Sequence, residues 1–193
     1  MNLKQKISEH IFLHKDSKLH IKTSESGLHT NTYLNTDYII SNPSLVDEIT
    51  DKFLAEIKKR GLKPDWVITY PPFGIVLAFE LARKLKCKFG CIDTNSNNCY
   101  FDIKSKDKAI LVGDDIYSGG KLSLSIKVLK DMGVLVQEPI YSIANFSGKN
   151  ELKKLELFSL ISSKAKLYKK ENRALCKKGS KVVLARPNWK KLF

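Results

Sequence analysis

The segment with the clearest chemistry spans residues 109–120 and reads AILVGDDIYSGG. An apolar run, typical of a strand buried on both faces of a parallel sheet, ends in the adjacent carboxylates Asp114 and Asp115. Ligands of such sheets bind at the carboxyl ends of the strands. The Ser/Gly loop that follows can offer backbone N–H groups to a phosphate, while carboxylates accept hydrogen bonds from sugar hydroxyls or hold Mg²⁺ through water. The pattern fits a sugar-phosphate site, and it equally fits a surface Asp-Asp turn before a helix.

A second small-residue turn joins an apolar strand to an apolar helix. It consists of Tyr70, Pro71, Pro72, Phe73 and Gly74, and its backbone amides can face a phosphate. The two prolines remove two N–H donors, which weakens that use. Phe73 fits a packing role as well as a binding role.

The elements that must position these turns alternate between strands and helices, which indicates a parallel α/β sheet. A helix is expected after Asn42 as N-cap and Pro43 at its first position, ending at Gly61. Strands are expected at residues 19–23, 31–40, 66–70, 88–93, 100–103, 109–112, 134–144 and 158–161. Further helices are expected at residues 3–14, 74–86 and 122–132, with a short one after residue 150 and a loop-rich tail beyond the last strand.

The composition is that of a folded protein. The chain has 193 residues, 42% of them hydrophobic, which excludes a chain too polar to collapse. No apolar run approaches the ~18 residues that a membrane span needs, and the charged first residues differ from a signal peptide. The cysteines show no repeated Cys-x-x-Cys pair, so they favour neither a disulfide framework nor a zinc finger. We expect one domain in a reduced, cytoplasmic protein.

Positive charge is concentrated near the C-terminus. The formal net charge is +14, and residues 149–193 carry 14 Lys and Arg against three acids. Such a segment can bind nucleic acid. Because lysines outnumber arginines 30 to 4 and aromatic residues are not interleaved among them, solvated lysine-rich faces explain the charge at least as well as nucleic-acid binding does.

Residues 109–123 resemble the phosphoribosyl-pyrophosphate (PRPP) signature of type I phosphoribosyltransferases. The resemblance implies that Asp114 and Asp115 bind the ribose hydroxyls. It implies that the 5′-phosphate is wrapped by Tyr117, Ser118, Gly119, Gly120 and Lys121. Leu122 departs from the usual Ser/Thr of this signature. Residues 66–85 look like the family's pyrophosphate loop, which implies that Pro72, Phe73 and Gly74 contact pyrophosphate.

Residues 26–43 resemble the N-terminal region of orotate phosphoribosyltransferases. The matching positions are Ser26, Gly27, Thr30, Tyr33, Ser41 and Pro43. Residues 173–187 look like the Cys-x-x-Cys-Lys-Lys-Gly ending of some relatives, but Arg173 replaces the first Cys, so no metal is expected at Cys176. The implied fold is a mainly parallel sheet flanked by helices in a single domain. A small hood is expected from about residues 1–40, the core from about 41–148, and a basic segment, which can add to the hood, from about 149–193.

Several positions depart from the orotate pattern. Cations of the family are replaced by Glu25 and Leu28, and Ala144-Asn145 stands for Asp-Arg. A Glu facing an anionic base costs binding energy. The mobile catalytic loop, with its Lys, His and Gly, is reduced to the short polar stretch 94–107, and all four histidines precede residue 30. Without the residues of that loop, Lys104, Lys106 or Lys121 would have to supply the cation for the departing pyrophosphate.

The resemblance implies transfer of phosphoribosyl from PRPP to a nucleobase or other small nitrogen acceptor, with Mg-dependent release of pyrophosphate, in nucleotide biosynthesis or salvage. Mg²⁺ is expected to bind through PRPP and, through water, at Asp114 and Asp115. The base contacts expected are Tyr33, Asn35 and Tyr117, no catalytic residue is assigned, and a homodimer is implied because relatives are commonly dimers. The alternatives are a non-catalytic PRPP or nucleotide sensor and, third, a nucleic-acid-binding protein.

Overall fold

The computed structural model describes residues 1–13, 19–22, 28–168 and 174–189. The strands are β1 (Ile11–Leu13), β2 (Leu19–Lys22), β3 (His29–Thr30), β4 (Thr32–Leu34), β5 (Trp66–Thr69), β6 (Lys88–Cys91), β7 (Lys108–Ile116), β8 (Leu135–Asn145), β9 (Glu151–Leu152), β10 (Leu155–Ser162), β11 (Leu167–Tyr168) and β12 (Lys181–Leu184). The helices are α1 (Leu3–Ser8), α2 (Thr36–Ile40), α3 (Pro43–Lys59), α4 (Gly74–Leu85), α5 (Gly120–Asp131), α6 (Ala174–Lys177) and α7 (Ala185–Asn188).

The central sheet has the strand order β6-β5-β7-β8-β10-β9, and only its edge strand β9 is antiparallel to its neighbour. Alternate side chains of the buried strands enter different cores. Val67 and Ile110 pack with apolar residues of α3 and α4, whereas Ile68 and Leu111 pack with those of α5. Because both faces of the sheet are covered, its strands read as continuous apolar runs. The predicted α/β class, mainly parallel with flanking helices, is confirmed.

Helix α3 begins and ends where its sequence signals lie. Asn42 accepts a hydrogen bond from the Leu45 N–H at 3.2 Å, and Pro43 occupies the first turn. Gly61, at φ 64°, follows the helix in the left-handed conformation. The buried face, which includes Ile49 and Phe53, packs under the central sheet.

A second sheet, with the order β11-β3-β2-β12, and the antiparallel pair of β1 with β4 form the hood from both ends of the chain. Strand β12 pairs in parallel with β2, and β11 pairs antiparallel with β3. Phe12, Ile21, Ala185 and Trp189 form a small apolar cluster beside it. The C-terminal segment is therefore part of the hood, and the tail predicted to be loop-rich instead contains β11, α6, β12 and α7.

Several predicted boundaries were wrong. The helix expected over residues 3–14 ends at Ser8, because residues 11–13 pair with β4. The strand expected over 31–40 is only β4, and its second half is α2. Residues 100–103 form no strand, and Phe101 packs edge-on against Trp66. The short helix expected after residue 150 is replaced by the antiparallel pair β9–β10.

None of the helices in the described ranges combines the length and the hydropathy that a membrane crossing requires.

Candidate functional site

A cavity of about 250 Å³ lies where the loops after β5 and β7 meet the hood. From β7 and its loop it is lined by Asp114, Asp115, Tyr117, Ser118, Gly119, Gly120, Lys121 and Leu122. From the loop after β5 it is lined by Tyr70, Pro71, Pro72 and Phe73. From the N-terminal segment, α2 and β11 it is lined by Leu28, Tyr33, Leu34, Thr36 and Leu167. The structure thus brings together both turns that the sequence singled out.

The loop between β7 and α5 requires glycine at its turn. Gly119 has a φ of 72°, and a Cβ atom there would lie 2.8 Å from the Leu152 side chain. The chain then enters α5, a helix of 12 residues, at Gly120, and the Ser118 hydroxyl accepts a long hydrogen bond from the Gly120 N–H at 3.4 Å. The first N–H groups of α5 have no partner within the helix and carry partial positive charge. This end of the cavity is therefore suited to an anion.

The two acidic side chains differ in their surroundings. Asp114 is buried, and Thr36 donates a hydrogen bond to its Oδ2 at 3.4 Å, whereas Asp115 is half-buried. Burial raises the pKa of Asp114, although backbone N–H groups and the charge of Lys121 oppose that shift. A desolvated carboxylate facing a cavity is costly to the fold and is typical of a functional position.

The loop after β5 is poor in hydrogen-bond donors. The peptide bond between Pro71 and Pro72 is cis, and neither proline has an N–H. Lys121 stands over the Tyr70 ring, with its Nζ 5.6 Å from the ring centroid. Of the three residues predicted for pyrophosphate, Pro72 and Phe73 line the cavity, but Gly74 is not among the lining residues.

Gly74 has a packing role at the start of α4. It is buried, and a Cβ atom there would lie only 2.0 Å from Thr69 Oγ1. That hydroxyl donates a hydrogen bond to the Val112 carbonyl at 2.7 Å, which ties the end of β5 to β7. Glycine at position 74 thereby leaves room for the Thr69 hydroxyl and for its hydrogen bond to β7.

The three residues predicted for the base occupy different positions. Tyr33 and Tyr117 line the cavity, but the Tyr117 hydroxyl donates to the Thr32 carbonyl at 3.0 Å, and burial raises the pKa of that hydroxyl. Asn35 does not appear among the lining residues; it is buried, and its Oδ1 has no hydrogen-bond partner in the described part of the chain. Tyr117 therefore links the β7 loop to the hood through its hydroxyl.

The reduced catalytic-loop region does not reach the cavity. Within the described residues, no lining side chain comes from 94–108; Asp93 and Asn98 close a tight bridge there, and Lys104 pairs with Asp102. Of the three lysines expected to substitute, Lys121 is at the cavity. Glu25, Ser26 and Gly27, which carried part of the resemblance, lie outside the described residues.

Asn145, at the position where the orotate pattern has Arg, has a local structural role. Its Nδ2 donates to the Lys149 carbonyl at 2.7 Å, and its Oδ1 accepts from the Ser147 N–H at 3.0 Å. These bonds shape the turn after β8.

Sequence reasoning missed Thr36 and Leu167 as cavity residues. Thr36 fell inside a stretch interpreted as a strand, and Leu167 fell inside the tail interpreted as loop. Neither residue carries a motif of its own, so only the pairing of β11 with β3 and the position of α2 reveal them.

The chain is similar to known proteins over most of its length. It is 28% identical over 179 residues to an orotate phosphoribosyltransferase of Carboxydothermus hydrogenoformans, covering 90% of this chain and 93% of that protein. It is 30% identical over 171 residues to the orotate phosphoribosyltransferase of Caldanaerobacter subterraneus subsp. tengcongensis, covering 86% of this chain and 87% of that protein. No protein-family model matches the chain.

The fold of this chain is also similar to that of a solved structure. The crystal structure of orotate phosphoribosyltransferase from Aeropyrum pernix superposes with a TM-score of 0.66 at 21% identity, covering 83% of this chain and 94% of that one. The similarity in fold to this structure thus accompanies a sequence similarity that extends over most of the chain. The chain belongs to the type I phosphoribosyltransferase family, as a divergent member similar to the orotate phosphoribosyltransferases.

Proposed function

We propose that this protein transfers the phosphoribosyl group of PRPP to a nucleobase and releases pyrophosphate. The observation that carries the proposal is the segment from β7 to α5, in which an acidic pair and the N-terminus of a 12-residue helix line the same cavity. Membership of the phosphoribosyltransferase family supports the reaction class. In this proposal the acidic pair binds the sugar hydroxyls and the helix N-terminus binds the phosphate of one ligand.

The acidic pair and the loop have complementary roles in this proposal. Asp114 and Asp115 accept hydrogen bonds from the two ribose hydroxyls, which orients the sugar ring at the strand end. The backbone N–H groups of residues 118–121 and the Ser118 hydroxyl bind the 5′-phosphate. The turn that presents these groups needs Gly119 because a side chain there would collide with Leu152.

The donor set at the cavity fits Mg²⁺. Carboxylate oxygens are the hard ligands that Mg²⁺ prefers, and the ion usually keeps several waters and takes few protein ligands beside substrate phosphates. Asp114 and Asp115 would hold it through water. When bound, the ion would supply charge neutralisation for the diphosphate.

Transfer of the phosphoribosyl group replaces one bond at the anomeric carbon of the ribose with another. A base nitrogen forms its bond to that carbon as the carbon–oxygen bond to pyrophosphate breaks, and the electron pair leaves with the oxygen. The proton that a neutral base must lose on forming this bond passes to solvent. Lys121, positioned against Tyr70, places a cation where negative charge collects. The turn at Pro71, Pro72 and Phe73 lines this side of the cavity, where it would limit the access of water to the reacting carbon.

The wall on the hood side favours an uncharged base. This wall consists of apolar and aromatic side chains, from Leu28, Tyr33, Leu34 and Leu167. Leu28 occupies the position at which the orotate pattern has Arg. Lys121 is the cationic side chain among the lining residues that the structure describes. An anionic base would be desolvated against this wall, which supplies no cation of its own among the described residues, and that desolvation costs binding energy. We therefore include in the proposal a preference for a neutral base over orotate.

The second candidate is a sensor that binds PRPP or a nucleotide without turnover. It is favoured by one observation: the region of the family's catalytic loop is a short bridge whose lysines do not line the cavity. Binding of PRPP is common to both candidates, and only turnover separates them.

Calorimetric titration of Mg-PRPP tests the site itself. The wild-type protein should bind, the double variant Asp114→Asn with Asp115→Asn should not, and Asp131→Asn on the exposed end of α5 should bind like wild type. Equal binding by wild type and double variant would refute the proposed site.

A further inference from the structure

A cluster of three metal-binding side chains lies in the hood, and none of its members lines the cavity. His20 Nε2 and His29 Nδ1 are 2.9 Å apart, and the Cys176 Sγ lies 3.6 Å from the first and 3.5 Å from the second. All three atoms fall within 4.8 Å of one another. From this convergence we propose that the hood binds Zn²⁺ through His20, His29 and Cys176.

The hood sheet is what brings these distant residues together. His20 lies on β2 and His29 on the adjacent antiparallel strand β3. Strand β12 pairs with β2 so that Val182 stands opposite His20, and α6, which carries Cys176, directly precedes β12. Gly179, at φ 82°, lets the chain reverse between α6 and β12. The thiol is thereby folded back onto the two imidazoles.

The distances suit a tetrahedral zinc ion. Zn–N bonds of about 2.05 Å and a Zn–S bond of about 2.3 Å place a sulfur about 3.6 Å from each nitrogen and the nitrogens about 3.3 Å apart. The two sulfur–nitrogen distances already have this value, and the nitrogens must separate slightly. Imidazole and thiolate ligands favour Zn²⁺ over Mg²⁺ or Ca²⁺. On binding, Cys176 loses its proton to solvent, and water or another side chain completes the shell.

A neighbouring hydroxyl holds one imidazole in a binding orientation. His20 Nδ1 lies 3.0 Å from the Ser180 Oγ. If Nδ1 carries the proton and donates it to that oxygen, Nε2 presents its lone pair to the cluster, which is how the outer partner of a metal-bound histidine acts. His20 is fully buried and His29 nearly so, while the half-buried Cys176 marks the side from which an ion enters.

Zinc here would join the two ends of the chain next to the cavity. Leu28, which lines the cavity, immediately precedes His29, and Leu167 pairs through β11 with Thr30 of β3. An ion bound to β2, β3 and α6 would fix the wall on which these leucines stand. This consequence for the base rests on the proposed function, whereas the metal site itself does not.

Replacement of Zn²⁺ by Co²⁺ tests the site, because a thiolate ligand gives an intense charge-transfer absorption. We expect about one ion per chain in wild type, by absorption and by elemental analysis. Cys176→Ser should abolish the charge-transfer band and weaken binding at least tenfold. Cys99→Ser, a change at another half-buried thiol, should keep both. The double Asp114 and Asp115 variant should also keep them, whatever its effect on PRPP.

Three outcomes would overturn the proposal: no metal binding by wild type, a band that survives Cys176→Ser, or a band lost with Cys99→Ser. The first would mean that the cluster is a hydrogen-bond network only. If Cys176→Ser fails to fold, alkylation of wild type decides. Added Zn²⁺ should slow the alkylation of Cys176 at least tenfold relative to Cys99, and equal slowing or none at both thiols would contradict the site.

Discussion

Replacing Asp114 by Asn should make the protein more stable and at the same time weaken its binding of PRPP. Asp114 is 8% exposed, and desolvation raises the pKa of its carboxyl group above that of an Asp in the unfolded chain. Ionisation of Asp114 therefore opposes folding. By linkage, this destabilisation is absent below the unfolded-state pKa of about 3.9 and grows as the pH rises through the folded-state pKa.

The magnitude follows from what the substitution keeps and removes. Asn retains an oxygen that can accept the hydrogen bond of Thr36, but it carries no charge to desolvate. We expect a gain of about 1 kcal/mol in the free energy of unfolding at neutral pH, since a poorly compensated buried polar group costs about 1–3 kcal/mol. For a chain of this size that is a rise in Tm of about 2–4 °C. Loss of a charge-assisted hydrogen bond to ribose weakens PRPP binding about 10- to 100-fold.

Urea unfolding at several pH values, together with calorimetric titration of PRPP, measures both effects. The stability difference between Asp114→Asn and wild type should shrink as the pH falls toward 4, while Asp131→Asn should show little difference in stability or affinity. If Asp114→Asn lowered stability at neutral pH, or left the affinity for PRPP unchanged, the reasoning about this carboxylate would be wrong.

Other substitutions and one chemical probe test further parts of the structure. Gly119→Ala should cost about 1–2 kcal/mol, because the positive φ is strained for Ala and its Cβ meets Leu152; an unchanged Tm would contradict this. Tyr117→Phe should cost about 1 kcal/mol in urea unfolding, since it removes the donor to the Thr32 carbonyl, and a neutral result would argue against that bond. Burial raises the pKa of Cys87 to about 11, so its alkylation at pH 8 should be about two orders of magnitude slower than that of an exposed thiol, and equal rates by mass spectrometry would refute its burial.

The parts of the fold that the sequence predicted are those with strong local signals. Asn42 and Pro43 mark the start of α3, and the apolar run before Asp114 marks β7, because capping geometry and burial on both faces are properties of a few adjacent residues. The turn after β7 was likewise visible from its small residues. These signals were enough to locate the acidic side of the cavity.

The hood was not predictable in the same way, because its order comes from pairing between distant segments. Residues 36–40 read as strand but form α2, and the tail pairs with β2 and β3 from the other end of the chain. Because Arg173 replaces the first Cys of the Cys-x-x-Cys ending, the sequence predicted no metal at Cys176. In the structure, however, two histidines lie beside that thiol, and they are 147 and 156 positions away along the chain. The spacing of residues along the chain does not predict a contact between segments so far apart.

Pyrophosphate release from Mg-PRPP over a panel of pyrimidine and purine bases, orotate included, tests the central claim most directly. The double variant of Asp114 and Asp115 is the control. We predict release with at least one neutral base, faster than with orotate, and none in the double variant. Release that persists in the double variant, or silence with every base while PRPP still binds to the wild type, would contradict the proposed transferase.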